Sequence, residues 1–156
     1  MRTLLFLISG IFFFTACDKI NLNNAEDSLE GDWQVVRMEQ TIGERVELGV
    51  QVDSFLEFTG QLGAFSFQEE VVSYTFSVGD SVYQAMAIPW TLTREKRSEG
   101  FGRVEQYTLS TPELVARCEF GDQTSDAEQN ATQVLLIWQT EAIGAYEMVT
   151  LYLEKE

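Results

Sequence analysis

The chain has 156 residues, with 10 Lys and Arg against 25 Asp and Glu, no histidine, and a formal charge of −15 at pH 7. That length fits one domain, and so acidic a surface repels nucleic-acid phosphates, so no nucleic-acid partner is expected. The lack of histidine excludes the Ser-His-Asp and Cys-His nucleophilic systems and the usual zinc ligand.

In chain order, Arg2 precedes an almost wholly apolar run from Leu4 to Phe14. Small Thr15 and Ala16 follow, then Cys17 and polar Asp18, Lys19 and Asn21. A positive start, an apolar stretch and a small-residue cleavage site are the parts of a secretory signal peptide. The run is too short for a transmembrane helix, which needs about 20 apolar residues. Phe14-Thr15-Ala16-Cys17 resembles the lipobox of bacterial lipoproteins, with an aromatic where an aliphatic residue is commoner. The resemblance implies cleavage of residues 1–16 and acylation of Cys17, so the expected partner is a membrane, reached through lipid. An ordinary secretory leader with an incidental cysteine is the alternative. Each buried acyl methylene contributes ~0.8 kcal/mol and one chain binds only marginally, so two or three chains hold firmly. The expected location is the bacterial envelope, at the outer membrane, on either its periplasmic or its outer face.

Loss of residues 1–16 removes one cation, Arg2, and takes the charge from −15 to −16. Anionic head groups repel such a surface, so the domain is expected to hang from its lipid rather than lie on the bilayer. Residues 17–27 read as a lipidated tether, polar and asparagine-rich from Asp18 to Asp27, and residues 28–156 as the folded domain. A short helix over Glu26–Glu30 is the one helical segment the pattern offers.

From Gly31 onward the apolar period is two. Tyr74, Phe76 and Val78 alternate with Ser73, Thr75 and Ser77, and Val134, Leu136 and Trp138 alternate with Leu135, Ile137 and Gln139. Tyr146, Met148, Thr150 and Tyr152 continue the pattern at the end. Thr59-Gly60 and Leu62-Gly63 predict a break between strands Phe55–Phe58 and Ala64–Phe67. Gly79-Asp80 predicts a tight hairpin between Tyr74–Val78 and a long strand Val82–Thr93, with Pro89 marking a bend, bulge or edge within it. Further breaks fall at Ser98–Gly102, Thr111-Pro112, the acidic loop Gly121–Ala131 and Ala142–Gly144. The count is about eight or nine strands on short connections. The predicted fold is all-β: an antiparallel up-and-down barrel of about eight strands, with a β-sandwich or half-barrel as the alternative.

Gly31-Asp32-Trp33 opens the first strand with Gly-x-Trp and resembles the start of a lipocalin or calycin barrel. With Phe55-Leu56-Glu57-Phe58 and the closing Val149–Lys155 segment, the layout is similar to small lipocalin-like lipoproteins of Bacteroidetes. The resemblance implies that Trp33 plugs one end of the barrel against a cation from the last strand, for which Lys155 is the available residue. It also implies a non-enzymatic binding protein.

The strands carry many large aromatics. Trp33, Phe58, Phe67, Phe76, Trp90 and Trp138 are the pocket candidates, either filling the interior or lining a site for a small hydrophobic ligand. Arg94, Lys96, Arg97 and Arg103 crowd four cations around Gly100-Phe101-Gly102. That tip is a candidate contact for an unidentified protein partner, unless its charges are spent on Glu95, Glu99 and Glu105. Cys118 alternates like an inward strand residue and reads as an inert buried thiol. No phosphate-cradling, dinucleotide or nucleophile-elbow glycine motif is present. Glu57, Glu69, Glu70 and Glu141 are acidic without a pattern that selects them for glycoside chemistry. The Asp122, Asp126 and Glu128 loop lacks EF-hand spacing. No catalytic residue, cofactor or metal is therefore expected. Asp27-Ser28-Leu29 and Asp80-Ser81-Val82 resemble the Asp-Ser/Thr-apolar sequence O-glycosylated in Bacteroidetes.

Overall fold

A computed structural model describes residues 22–47, 49–99, 102–120, 131–142 and 144–156. Helix α1 (22–29) leads into nine strands: β1 Gly31–Val46, β2 Gly49–Phe67, β3 Val71–Val78, β4 Ser81–Pro89, β5 Thr91–Glu99, β6 Gly102–Ser110, β7 Val115–Phe120, β8 Gln133–Ala142 and β9 Ala145–Lys155. They form one antiparallel sheet in the order β4-β3-β2-β1-β9-β8-β7-β6-β5. The sheet curls into a half-barrel, so the all-β class holds and the half-barrel is the form observed.

The seam lies between β4 and β5, and its origin is in the sequence. Eight antiparallel pairings separate these two strands around the sheet, so they run in the same sense. They are therefore two halves of one long path, pairing first with β3 and then with β6. The expected single strand Val82–Thr93 is instead divided at Trp90 into β4 and β5, which have different partners. Pro89 has no N–H to give a ladder, and Trp90 turns its N–H to the Glu70 carbonyl and its indole N–H to Gln68 O at 2.8 Å.

The expected break at Thr59–Gly63 is instead an irregularity inside the 19-residue β2. Register against β1 shifts between Val35 and Arg37, opposite Gly60–Leu62, and Gly60 takes φ +123°. Glycine within a strand commonly marks a bulge or a close backbone approach, and both occur here. The Gly79-Asp80 hairpin is as expected, with Gly79 at φ +57° in the first turn position.

Extra Val36 also switches which residues of β1 face inward. Trp33 and Val35 point to the core before it, Met38 and Gln40 after it. A strict period of two misses that switch. The core is completed by Leu151 and Leu153 of β9, Val134 and Leu136 of β8, Leu109 of β6 and Phe65 of β2, all at most 1% exposed.

α1 departs from the expected tether. Helix already covers residues 22–25, ahead of the expected Glu26, and buries Ala25, Ser28 and Leu29 on one face with Leu22 half-buried beside them. The spacing of Leu22, Ala25 and Leu29 is one helical face. These few apolar residues, hidden among asparagines and acids, suffice because the end of the half-barrel covers them. Ser28 is 3% exposed and its hydroxyl accepts from the Ala131 N–H at 3.0 Å, so the folded domain holds it away from a modifying enzyme. Ser81 stands exposed at a hairpin.

Candidate functional site

The interior is an aromatic wall fixed by strand alternation. Phe65 stacks with Phe67 and Phe76 at ring-centroid separations of 5.8 and 5.4 Å and meets Tyr74 tilted at 5.2 Å. Phe76 meets Tyr83 at 5.0 Å and Trp138 at 5.7 Å, which links β3 and β4 to β8 across the concave face. Phe67 takes the edge of Trp90 at 5.3 Å. Offset and edge-on pairs at such distances add about 0.5–1.5 kcal/mol each beyond area burial. Five of the six pocket candidates, Trp33, Phe67, Phe76, Trp90 and Trp138, are thus buried in packing contacts.

Trp33 closes the α1 end. Its indole N–H donates to Leu29 O at 2.7 Å, and Lys155 Nζ sits 5.2 Å from its ring centre while donating to Ser28 O at 3.0 Å. The cation joins the last strand, the first strand and the helix in one contact.

The opposite end is different. Phe58, the sixth candidate, lies on the inner face of β2 opposite Met38, and Leu56 lies opposite Gln40. Phe58 is 37% and Leu56 43% exposed, and Ile42 beside them is also exposed. They continue the apolar face of the core beyond the point where β3 stops covering β2, since β3 pairs only with Gly63–Phe67. Gln40 and Glu147 bridge this rim at 2.6 Å. Leu56 and Ile42 were not selected from the sequence; the excess length of β2 over β3 is the signal that finds them.

The cationic hairpin is only partly described. Arg94 lies against the sheet interior with its side chain 7% exposed, ion-paired to Glu105 and 5.9 Å from the Tyr107 ring centre. Lys96 is exposed and in register with Glu105. The side chains of Arg97 and Arg103, and Phe101 altogether, lie outside the described residues, as does Cys17. Arg94 is a packed structural cation rather than a free tip contact, because β5 turns it inward next to Leu92.

Among the described residues no group of three His, Cys, Asp or Glu is placed to hold a metal. The Asp122, Asp126 and Glu128 loop and the Glu141 side chain fall outside them. Glu57 is paired with Arg37 at 3.2 Å. Burial and then Asp27 push the Glu26 carboxyl up, but it sits on α1 rather than in a cleft. No helix among the described residues is long and apolar enough to cross a membrane.

Cys118 is buried on β7 opposite Leu136, and burial followed by the Glu119 charge pushes its thiol far up from 9.0. Burial also raises Tyr74, next to Glu113, and Tyr152, next to Glu39. A raised folded value means stability intact below the unfolded pKa and lost as pH climbs above it. For Cys118 the loss runs at about 1.4 kcal/mol per pH unit once the unfolded thiol ionises. Urea midpoints are therefore expected to fall above pH 9, more steeply in the native chain than in Cys118→Ala. Parallel pH profiles of the two would refute the assignment.

No protein-family model, curated protein or solved structure matches the chain.

Proposed function

We propose that this chain is a non-enzymatic, lipid-anchored envelope lipoprotein whose lipocalin-like half-barrel binds a small hydrophobic ligand at its flared end. The observation that carries the reading is the exposure of Phe58, Leu56 and Ile42 on the concave face, contiguous with buried Met38. Apolar side chains left open beside a finished core mark a binding surface more often than a packing fault. The site sits at the rim, because rings already fill the middle of the half-barrel. The lipocalin-like reading draws support from the Trp33–Lys155 contact, which is the packing that the Gly-x-Trp resemblance implies. Anchoring rests on the signal-peptide pattern and Cys17.

Native mass spectrometry of the chain, purified gently from membranes, tests the ligand. A discrete extra mass that organic extraction removes, and that Phe58→Asp abolishes, is expected. A bare mass with no uptake of fatty-acid probes would refute ligand binding. For the anchor, Cys17→Ala is expected to shift the protein from the membrane to the soluble fraction, and unchanged fractionation would refute lipidation. A second reading, a protein-partner module of the envelope, is favoured by the open strand edge described next.

A further inference from the structure

β2 outruns β3, while β1 stays paired with β9 as far as Gly43. On its β3 side, β2 is paired only from Gly63 to Phe67, so among the described residues the edge from position 49 to 62 meets no other strand. Within that edge, Ser54–Thr59 is the regular stretch: it runs unbroken against Ile42–Arg37, between one register shift at Asp53 and another at Gly60–Leu62. A strand edge offers a row of backbone donors and acceptors, the template for pairing with another chain.

The two faces of this stretch differ. Leu56 and Phe58 stand on the inner face, Phe55 and Glu57 on the outer one, where Phe55 is 55% exposed. Arg37 is the cation on that outer face and serves two carboxylates, Glu39 and Glu57, which leaves the face acidic. We propose that the Ser54–Thr59 edge accepts an extended strand of a partner protein that alternates apolar and basic residues. Its apolar side chains meet Leu56 and Phe58, and its cations meet Glu57 and the exposed ring of Phe55.

Charge decides against a second copy of this chain, which would bring a formal −15 to an acidic edge. Charge also decides against the protein's own membrane, whose anionic head groups repel an acidic face. Nor does the proposal need the hydrophobic ligand, since the edge is backbone.

The test is fluorescence anisotropy with the full lipidated chain in detergent micelles, empty micelles as blank. The probes are a labelled ten-residue peptide of alternating Val and Lys, its Val–Glu counterpart, and the Val–Lys peptide N-methylated at every residue, which blocks both of its edges. Saturable binding of Val–Lys is expected, at least tenfold weaker for Val–Glu and for the N-methylated form, whose charge is unchanged but which cannot pair as a strand. Phe55→Ser, a surface change whose folding circular dichroism verifies, is expected to weaken Val–Lys several-fold. Equal binding of the N-methylated peptide would overturn strand pairing. No binding of Val–Lys, or equal binding of Val–Glu, would overturn the partner chemistry. Concentration-dependent dimerisation abolished by Phe55→Ser would assign the edge to a second copy and overturn the proposal, as would Phe55-dependent binding to phosphatidylcholine vesicles.

Discussion

Replacing Gly63 with alanine is expected to lower the thermal midpoint by roughly 10 °C, corresponding to a loss of about 3 kcal/mol. Gly63 sits at the point where β2 gains β3 as a neighbour, opposite Phe76. A Cβ there would stand 2.3 Å from Thr75 O, 2.6 Å from Phe76 Cβ and 2.8 Å from Phe76 Cα. Two of those three atoms are backbone, so no rotamer change relieves the clash and the strands must part. Parting them disturbs the short ladder that fixes Phe65 against Tyr74 and Phe76. Gly60→Ala is the control: it shares the strand, has φ +123°, and has nothing within 4 Å of its added methyl. It carries backbone strain alone, of order 1–3 kcal/mol. Calorimetry that finds Gly60→Ala the more damaging of the two would show that close approach is not what Gly63 provides.

The second large effect belongs to Trp33, which is fully buried. Trp33→Ala is expected to cost about 3–5 kcal/mol, a large share of the ~5–15 kcal/mol that folded domains possess. The damage has a direction. α1 is held by the Trp33–Leu29 hydrogen bond, the Lys155–Ser28 hydrogen bond and the burial of Ala25 and Leu29, and a short helix is marginal by itself. Hydrogen exchange should therefore show α1 opening in Trp33→Ala before the β8–β9 ladder loosens. Lys155→Met removes only the cation over the ring and its bond to Ser28 O, and about 1 kcal/mol is expected. If Trp33→Ala unfolds helix and sheet together at one denaturant concentration, Trp33 is a general core residue rather than the clamp for α1.

Much of this was legible locally. The alternation of Tyr74, Phe76 and Val78 and of Val134, Leu136 and Trp138 marks strands with one buried face, and the buried residues are those. Gly79-Asp80 marks a hairpin because glycine alone relieves φ +57° there at no steric cost. Pro89 marks the bend, since its ring removes a donor from any ladder. Trp33 and Lys155 could be named as partners only through the Gly-x-Trp resemblance, as 122 positions separate them.

Other features depend on which strands neighbour which. Gly60 and Gly63 carry the same local signal as a turn; that they mark a bulge and a close approach inside β2 follows from β1 and β3 lying alongside. α1 looks like tether because its apolar residues are few, and it packs because the end of the half-barrel covers them. The character of Phe58 is the clearest case. Its alternation is that of any core aromatic, and it is exposed only because β3 ends before reaching it. Composition and periodicity by themselves determined an acidic all-β domain, its aromatic interior, and the absence of histidine chemistry. The seam at Pro89-Trp90, the docked helix and the open edge of β2 were decided by tertiary structure, because the length of a neighbouring strand is not written in the residues it leaves uncovered.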